Sequence, residues 1–340
     1  MPKYSTLPNP HGWFAACFSH ELPPGVVLAR KLCDRDVVMF RTPSGVPAIV
    51  DAHCPHMGAH LGVGGRVEGE AIRCPFHGFR FGPDGACVST PYESKIPPKC
   101  RLGAWPVREQ NGVVLFWYHD RGAPPSFEIP EYDLSGWMPL LTRTFTVSSH
   151  PQETTENSVD LGHLAEVHNY HELAILEELQ TDGPYLTVRY AMSRSGFGTR
   201  GAPVRALFRV HVHGLGFSHV ECHIENRNIN MRYWVLCTPT HDDQCELRGA
   251  ASSAPLERPA SVNPALAVLP RRLATRLVQR IAFHEFCHDL QQDFDIWQHK
   301  RYIDPPMLAK GDGPVGPYRK WCRQFYAQEV VGRSGTLGAA

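Results

Sequence analysis

The sequence lacks net charge: 34 Lys and Arg stand against 34 Asp and Glu in 340 residues. Binding to nucleic acid or to an anionic membrane normally needs a basic excess, so the balance argues against both. Long apolar runs are missing too. The longest, Val113–Tyr118, falls far short of the roughly 20 residues that cross a bilayer, so no transmembrane segment is expected. Residues 1–18 carry Pro2, Pro8 and Pro10 and no continuous apolar core, which argues against a secretory signal. No internal repeat occurs, and Gly62-Val63-Gly64-Gly65 lacks the lysine and helix of a phosphate loop. No flavin or nicotinamide motif is present. The expectation is a soluble, cytoplasmic protein.

Cysteine and histidine are present in excess, at 11 and 19 residues. Eleven thiols cannot all pair, and without a secretory signal a disulfide framework is not expected; the combination points to metal. Hydrophobic residues at 42% suffice for a sizeable core, and 29 Gly with 30 Pro mark a turn-rich chain. Residues 10–122 read as short strands, at 26–29, 36–40, 47–50 and 113–118, separated by turns such as Ser44-Gly45. That pattern predicts a small all-β domain, with 121–126 as linker. Residues 123–330 read as a second, mixed domain. A helix is expected over Pro151–Leu179, and strands between Tyr185 and Val220 and over Met231–Thr238. A loop is expected from Ala254 to Pro270, and one long helix over Arg271–Tyr302. Residues 331–340 are small and polar, an expected disordered tail.

Two compact clusters lie in the first domain. Cys54-Pro55-His56 is followed, after 17 residues, by Cys74-Pro75-Phe76-His77, with Gly58 and Gly78 closing the loops. Two thiolates and two imidazoles can close a zinc site, or hold a [2Fe–2S] cluster with two Cys on one iron and two His on the other. Cys-x-His is too short for a zinc knuckle. Embedded as CPHMGAHLGVGG and CPFHGFRF, the pair resembles the Rieske domain, which implies Cys54, His56, Cys74 and His77 as cluster ligands. The respiratory-chain type adds a Cys pair, where this sequence has Ala59 and Phe76, so the resemblance is to the Rieske domain of oxygenases. It assigns His53 and His60 no ligand role.

The second domain offers Asn157, Asp160, His163 and His168 within twelve positions. Two His and one carboxylate form the usual face of an oxygen-activating non-haem iron. Spacing alone leaves the matter open: five residues put the two imidazoles about 140° and about 7.5 Å apart on an ideal helix, so it must bend or end between them. With the upstream clusters, Asn-x-x-Asp-x-x-His-x₄-His resembles the Rieske non-haem iron oxygenases. The resemblance implies His163 and His168 as iron ligands, Asp160 as an electron bridge beside Asn157, and a carboxylate on a late helix. Asp289, Asp293 and Asp295 are available there. At 100° per residue Asp293 shares an apolar stripe with Phe286, Leu290 and Trp297, whereas Asp295 falls on the side of His284 and His288. Asp293 is therefore the expected ligand, with Asp295 as alternative. Gln292–Lys300 also resembles the steroid-acting subgroup of 3-ketosteroid 9-alpha-hydroxylases and cholesterol 7-desaturases.

His284-Glu285-Phe286-Cys287-His288 fits the His-Glu-x-x-His zinc-protease pattern, but so short a motif arises readily among 19 His, and no distal ligand pattern follows. His211, His213, His219 and His223 form a last group; the first two alternate as on one strand face, lining a pocket or facing solvent.

The resemblance implies an α+β chain: an all-β Rieske domain, then a helix-grip-like domain with an antiparallel sheet and a long C-terminal helix. It implies a terminal oxygenase that uses O₂, a [2Fe–2S] cluster and mononuclear Fe(II). Electrons are expected from a flavin/iron–sulfur reductase, directly or through a ferredoxin. The expected substrate is bulky, hydrophobic and steroid- or sterol-like, and is hydroxylated, desaturated or oxidatively demethylated. A homotrimer is also expected. The alternatives are an aromatic-ring dioxygenase or O-demethylase, and a Rieske electron carrier with a partner-binding C-terminal domain.

Overall fold

The computed structural model describes residues 7–92, 95–194 and 203–327. The expected tail at 331–340 lies outside them. Two compact units are present: His11–Glu131 with Thr238–Asp242, and the rest of the described chain.

The first unit holds ten strands: β1 (Gly12–Phe18), β2 (Val27–Leu32), β3 (Arg35–Arg41), β4 (Pro47–Asp51), β5 (Arg66–Glu68), β6 (Ala71–Arg73), β7 (Arg80–Phe81), β8 (Cys87–Ser89), β9 (Val107–Gln110) and β10 (Val113–Tyr118). They form three antiparallel sheets, β1-β10-β9, β2-β3-β4 and β5-β6-β7-β8. Strand β3 explains the layering. Its successive side chains point to opposite faces, so Val37 and Met39 join one core with Phe14, Ile49 and Phe116. Val38 and Phe40 join another, with Val50, Ile72, Phe81, Cys54 and Cys74. Buried on both sides, β3 and β10 read as unbroken apolar runs, which is why they are legible from sequence.

The second unit is a seven-stranded antiparallel sheet in the order β11-β17-β16-β15-β14-β13-β12. The strands are β11 (Leu141–Ser148), β12 (His171–Asp182), β13 (Tyr185–Arg194), β14 (Val204–His213), β15 (Phe217–Ile224), β16 (Ile229–Pro239) and β17 (Gln244–Ser253). The helices are α1 (Pro151–Glu156), α2 (Leu161–Glu166), α3 (Pro259–Val262), α4 (Arg271–Gln292), α5 (Phe294–His299) and α6 (Val315–Cys322). Helix α4 lays Ala274, Val278 and Ala282 against Met231, Tyr233 and Ala251 of the sheet. Gly249 on β17 lets it come close, since a Cβ there would meet Phe286 at 3.1 Å.

Three expectations are corrected. The helix expected over Pro151–Leu179 is two short six-residue helices, α1 and α2, and then an edge strand. Glu-rich His171–Asp182 has helix-forming composition, but pairing with β13 overrides it, and its exposed charges suit a sheet edge. The loop expected at Ala254–Pro270 contains α3 and a 3₁₀ turn at Pro264–Val268. The single helix expected over Arg271–Tyr302 is interrupted at Asp293, whose N–H turns to Gln291 O, and it ends at His299.

Candidate functional site

The two Cys-His loops in the first unit have the same construction. Cys54 N–H donates to Ala59 O at 2.9 Å and Gly58 N–H to Cys54 O at 2.8 Å; Cys74 N–H donates to Phe79 O at 2.8 Å and Gly78 N–H to Cys74 O at 3.1 Å. Both glycines have left-handed backbone, φ 75° and 72°, so each loop needs Gly at its fifth position. The repeat buries the two thiols together in one core. It leaves His56 and His77 at the outer edge, their rings edge to face at 4.7 Å. Burial, with the Cys74 thiol alongside, pushes the Cys54 thiol up to about 11, so that thiol stays protonated until a cation takes the proton's place. Paired sulfurs inside and paired imidazoles outside fit a [2Fe–2S] cluster with unlike ligands on its two irons. His53 and His60 face one another edge to face at 5.1 Å, and His60 Nδ1 accepts from Gly62 N–H.

In the second unit His163 sits on α2, which ends at Glu166, so His168 lies beyond the helix. Their rings stand 5.2 Å apart at 79°. Ligating atoms of His163, His168 and Asp293 all lie within 4.8 Å of one another. His168 Nε2 is 3.6 Å from Asp293 Oδ1, too long for a hydrogen bond and close to the separation of two ligands on one ion. The other nitrogen of each ring is tied. His163 Nδ1–H donates to Asp160 O at 2.6 Å, and His168 Nδ1–H to Gln292 Oε1 at 2.9 Å. Both Nε2 lone pairs are thereby left for a metal. Asn157 Nδ2 holds the far oxygen, Asp293 Oδ2, at 3.0 Å. Two imidazoles and one carboxylate on one side suit an iron that keeps open positions.

Asp293 is 5% exposed, whereas Asp295 lies on the exposed side of α5. Asp289 is already engaged, by Arg194 at 2.9 Å through both oxygens and by Tyr170 OH at 3.1 Å. Asp160 caps α2, with Oδ1 accepting from His163 N–H at 3.3 Å. Burial works against its charge, but hydrogen bonds from His163 outweigh that and hold its carboxyl below the usual range. Helix α1, which leads to Asn157, is anchored by an ion pair of Arg319 with Glu156 at 2.6 Å.

A cavity open to solvent lies between the sheet and α4. His163, His168 and Asp293 line it together with apolar residues such as Met192, Phe208, Val220 and Val235. Of the zinc-protease pattern, His284 and His288 are exposed while Glu285 lines the cavity, so the three do not converge. Sequence reasoning missed Gln292, whose only signal was its place beside Asp293, and the Tyr170–Arg194–Asp289 group, for which Asp289 was the single hint.

The model of the Rieske [2Fe-2S] domain matches residues 12–105, and that of the 3-ketosteroid 9alpha-hydroxylase C-terminal domain matches residues 116–326. The chain belongs to the Rieske non-haem iron oxygenases. As a member it is an oxidoreductase that uses a [2Fe–2S] cluster, a mononuclear iron and O₂. Cholesterol 7-desaturase of Xenopus laevis is 30% identical over 94% of this chain and 72% of its own length. A probable 3-ketosteroid-9-alpha-monooxygenase oxygenase component of Rhodococcus rhodochrous is 28% identical, over 85% and 73%. In fold, the chain is similar to dicamba monooxygenase bound to dicamba, with TM-score 0.66, 18% identity and coverage of 95% and 98%. The expected α+β architecture, with its antiparallel sheet and late helix, is borne out. Among the described residues no helix is long and apolar enough to cross a membrane.

Proposed function

We propose that this chain is the terminal oxygenase component that hydroxylates, desaturates or demethylates a bulky hydrophobic, steroid- or sterol-like substrate. The cavity carries the reading: an apolar sheet face leads to His163, His168 and Asp293, so an apolar guest presents one carbon there and keeps water out. The names of the two relatives above support the substrate class.

In this reading Cys54, His56, Cys74 and His77 hold the [2Fe–2S] cluster, and His163, His168 and Asp293 hold the iron. The cluster supplies single electrons, and the iron supplies O₂ activation. Asp160 O and Gln292 fix the two imidazole tautomers, and Asn157 aims the carboxylate. Reducing power comes from a separate flavin/iron–sulfur reductase, directly or through a ferredoxin. We place the system in the cytoplasm, where the nine cysteines outside the cluster stay reduced.

The edge carrying His56 and His77 also exposes Met57 (65%) and Phe76 (61%), an apolar rim suited to docking. We infer a homotrimer without a second subunit type, closed head to tail, in which Asp160 bridges the neighbour's His77 to His163. Asp160→Asn tests this cleanly, because the backbone carbonyl that holds His163 is retained. Cluster, iron and trimer should persist while turnover nearly stops; normal turnover, or a fully active monomer in sedimentation, would exclude the route.

The reading as a whole is tested by counting iron and acid-labile sulfide in anaerobically purified protein, and by analysing products from steroid and small aromatic substrates. It predicts about three irons per chain, two of them with sulfide, and a steroid oxidised at one position. Two irons would indicate a pure electron carrier. Stoichiometric zinc without sulfide would overturn the metal assignments, and dihydroxylated aromatic product would overturn the substrate class.

A further inference from the structure

The sheet of the second unit has another face. Strands β14 and β15 pair with Val210 opposite Val220 and His211 opposite His219. Val210 and Val220 line the cavity, so by strand alternation His211, His219 and Glu221 point to the opposite side of the sheet.

There the ligating atoms of His211, His219 and Glu221 all lie within 4.8 Å of one another. His219 is fully buried, and neither of its ring nitrogens has a hydrogen-bond partner. Its ring stacks on Tyr132 at 3.7 Å and packs against Trp234, tilted by 54°, at 4.9 Å. An imidazole locked so firmly with both nitrogens idle is built for a partner that is not a protein group. His213 on the same face is already taken, its Nε2 sharing a hydrogen bond with Tyr132 OH at 2.7 Å.

Glu221 divides its two oxygens. Oε2 lies 3.8 Å from His211 Nε2, beyond hydrogen-bond range and close to the 3.6 Å between His168 and Asp293 at the iron site. Oε1 lies 3.8 Å from Arg232 Nη2. Arg232 is itself fixed elsewhere, over the Trp137 ring at 4.4 Å and donating to Asp133 O, so it orients the carboxylate from behind rather than neutralising it by a close pair. The side chains of His211 and Glu221 are 29% and 43% exposed, which leaves an open side for water ligands.

We propose that His211, His219 and Glu221 bind a divalent transition-metal ion of the zinc class, separate from the two iron sites. Two imidazoles, one carboxylate and an open side match that ion's donors, whereas calcium and magnesium call for a shell of oxygens. The ion clips β14 to β15 behind the cavity wall.

Equilibrium dialysis of the iron-loaded enzyme against micromolar zinc tests the site. One zinc per chain should bind with iron and sulfide unchanged, and hydrogen exchange of the β14–β15 amides should slow. His211→Ala and Glu221→Gln, both at partly exposed positions, should each weaken zinc binding about tenfold or more and abolish the exchange effect, with the cluster spectrum intact. Asp293→Ala should still take up this zinc, which separates it from metal exchange at the iron site. Zinc that enters only as iron leaves, zinc binding unchanged in both variants, or no saturable binding at micromolar zinc would each overturn the proposal.

Discussion

Gln292 offers the sharpest test of how the proposed iron site is supported. Its Oε1 accepts the His168 Nδ1 proton at 2.9 Å, and His168 is 4% exposed, so no water replaces a lost acceptor cheaply. In Gln292→Leu the Nδ1–H is stranded, and the ring does better with its proton on Nε2, donating to Asp293 Oδ1 now 3.6 Å away. That tautomer occupies the lone pair a metal requires. Losing such an outer partner lowers metal affinity about 10- to 100-fold, or about 1.4–2.7 kcal/mol, in line with the roughly 1–3 kcal/mol cost of a buried unsatisfied donor. The assay is chelator competition followed by iron content, with cluster absorption as internal reference, because Gln292 and the cluster loops belong to different units. The chelator midpoint should fall by one to two decades, turnover should fall with iron content, and excess Fe(II) should restore it. Gln292→Glu keeps an acceptor and should bind iron at least as well as the native chain. An unchanged midpoint in Gln292→Leu, or equal loss in Gln292→Glu, would refute the reasoning.

Cys54→Ser and His77→Ala should each abolish the visible absorption and the reduced-state paramagnetic signal, while His53→Ala and His60→Ala retain both; an intact spectrum in either of the first two rejects the ligand set. His163→Ala, His168→Ala and Asp293→Ala should stop turnover and keep the cluster spectrum, whereas Asp295→Ala, on the exposed side of α5, should turn over normally; the opposite pattern for the two aspartates would reverse the assignment. His150 gives a pH prediction: its Nδ1 accepts from Gln152 N–H, Nε2–H donates to Pro8 O, and burial holds its pKa down to about 4. The unfolded chain binds this proton from about pH 6.5 downward and the native chain does not, so stability present above pH 6.5 drains by roughly 1.4 kcal/mol per unit as pH falls towards 4. Urea unfolding at pH 7 and pH 5 should show that loss in the native chain and about 2 kcal/mol less of it in His150→Gln.

The parts of the fold legible in the sequence were those whose environment is uniform. Strands β3, β4 and β10 are buried on both faces and announce themselves as apolar runs. Strand β12 has no such environment: as a charged edge it carries Glu172, Glu177 and Glu178, and only pairing with β13 makes it a strand. The Cys-His loops were legible for a different reason. A five-residue loop that must present a thiol, an imidazole and a left-handed glycine writes all three within five positions, so spacing carries the geometry. The His163–His168 pair was half legible. Spacing stated the condition, that the helix bend or end between them, and the structure meets it by ending α2 at Glu166.

Helical periodicity put Asp293 on the buried side, yet it assumed a helix that does not run on unbroken. Within a continuous helix Gln292 and Asp293 would diverge by about 100°, and two such side chains do not normally serve one ring. Here they do, because His168 enters where α4 stops: Gln292, the last residue of α4, takes Nδ1, and Asp293, in the interruption, faces Nε2. Asn157, which donates to Asp293 Oδ2 from 136 positions away in sequence, closes the arrangement from α1. Each contact is local in space and remote in sequence, so no periodicity records it. The apolar stripe therefore singled out Asp293 for an incomplete reason: it located the buried side of the helix, while the interruption turns a buried carboxylate into one aimed at a shared imidazole.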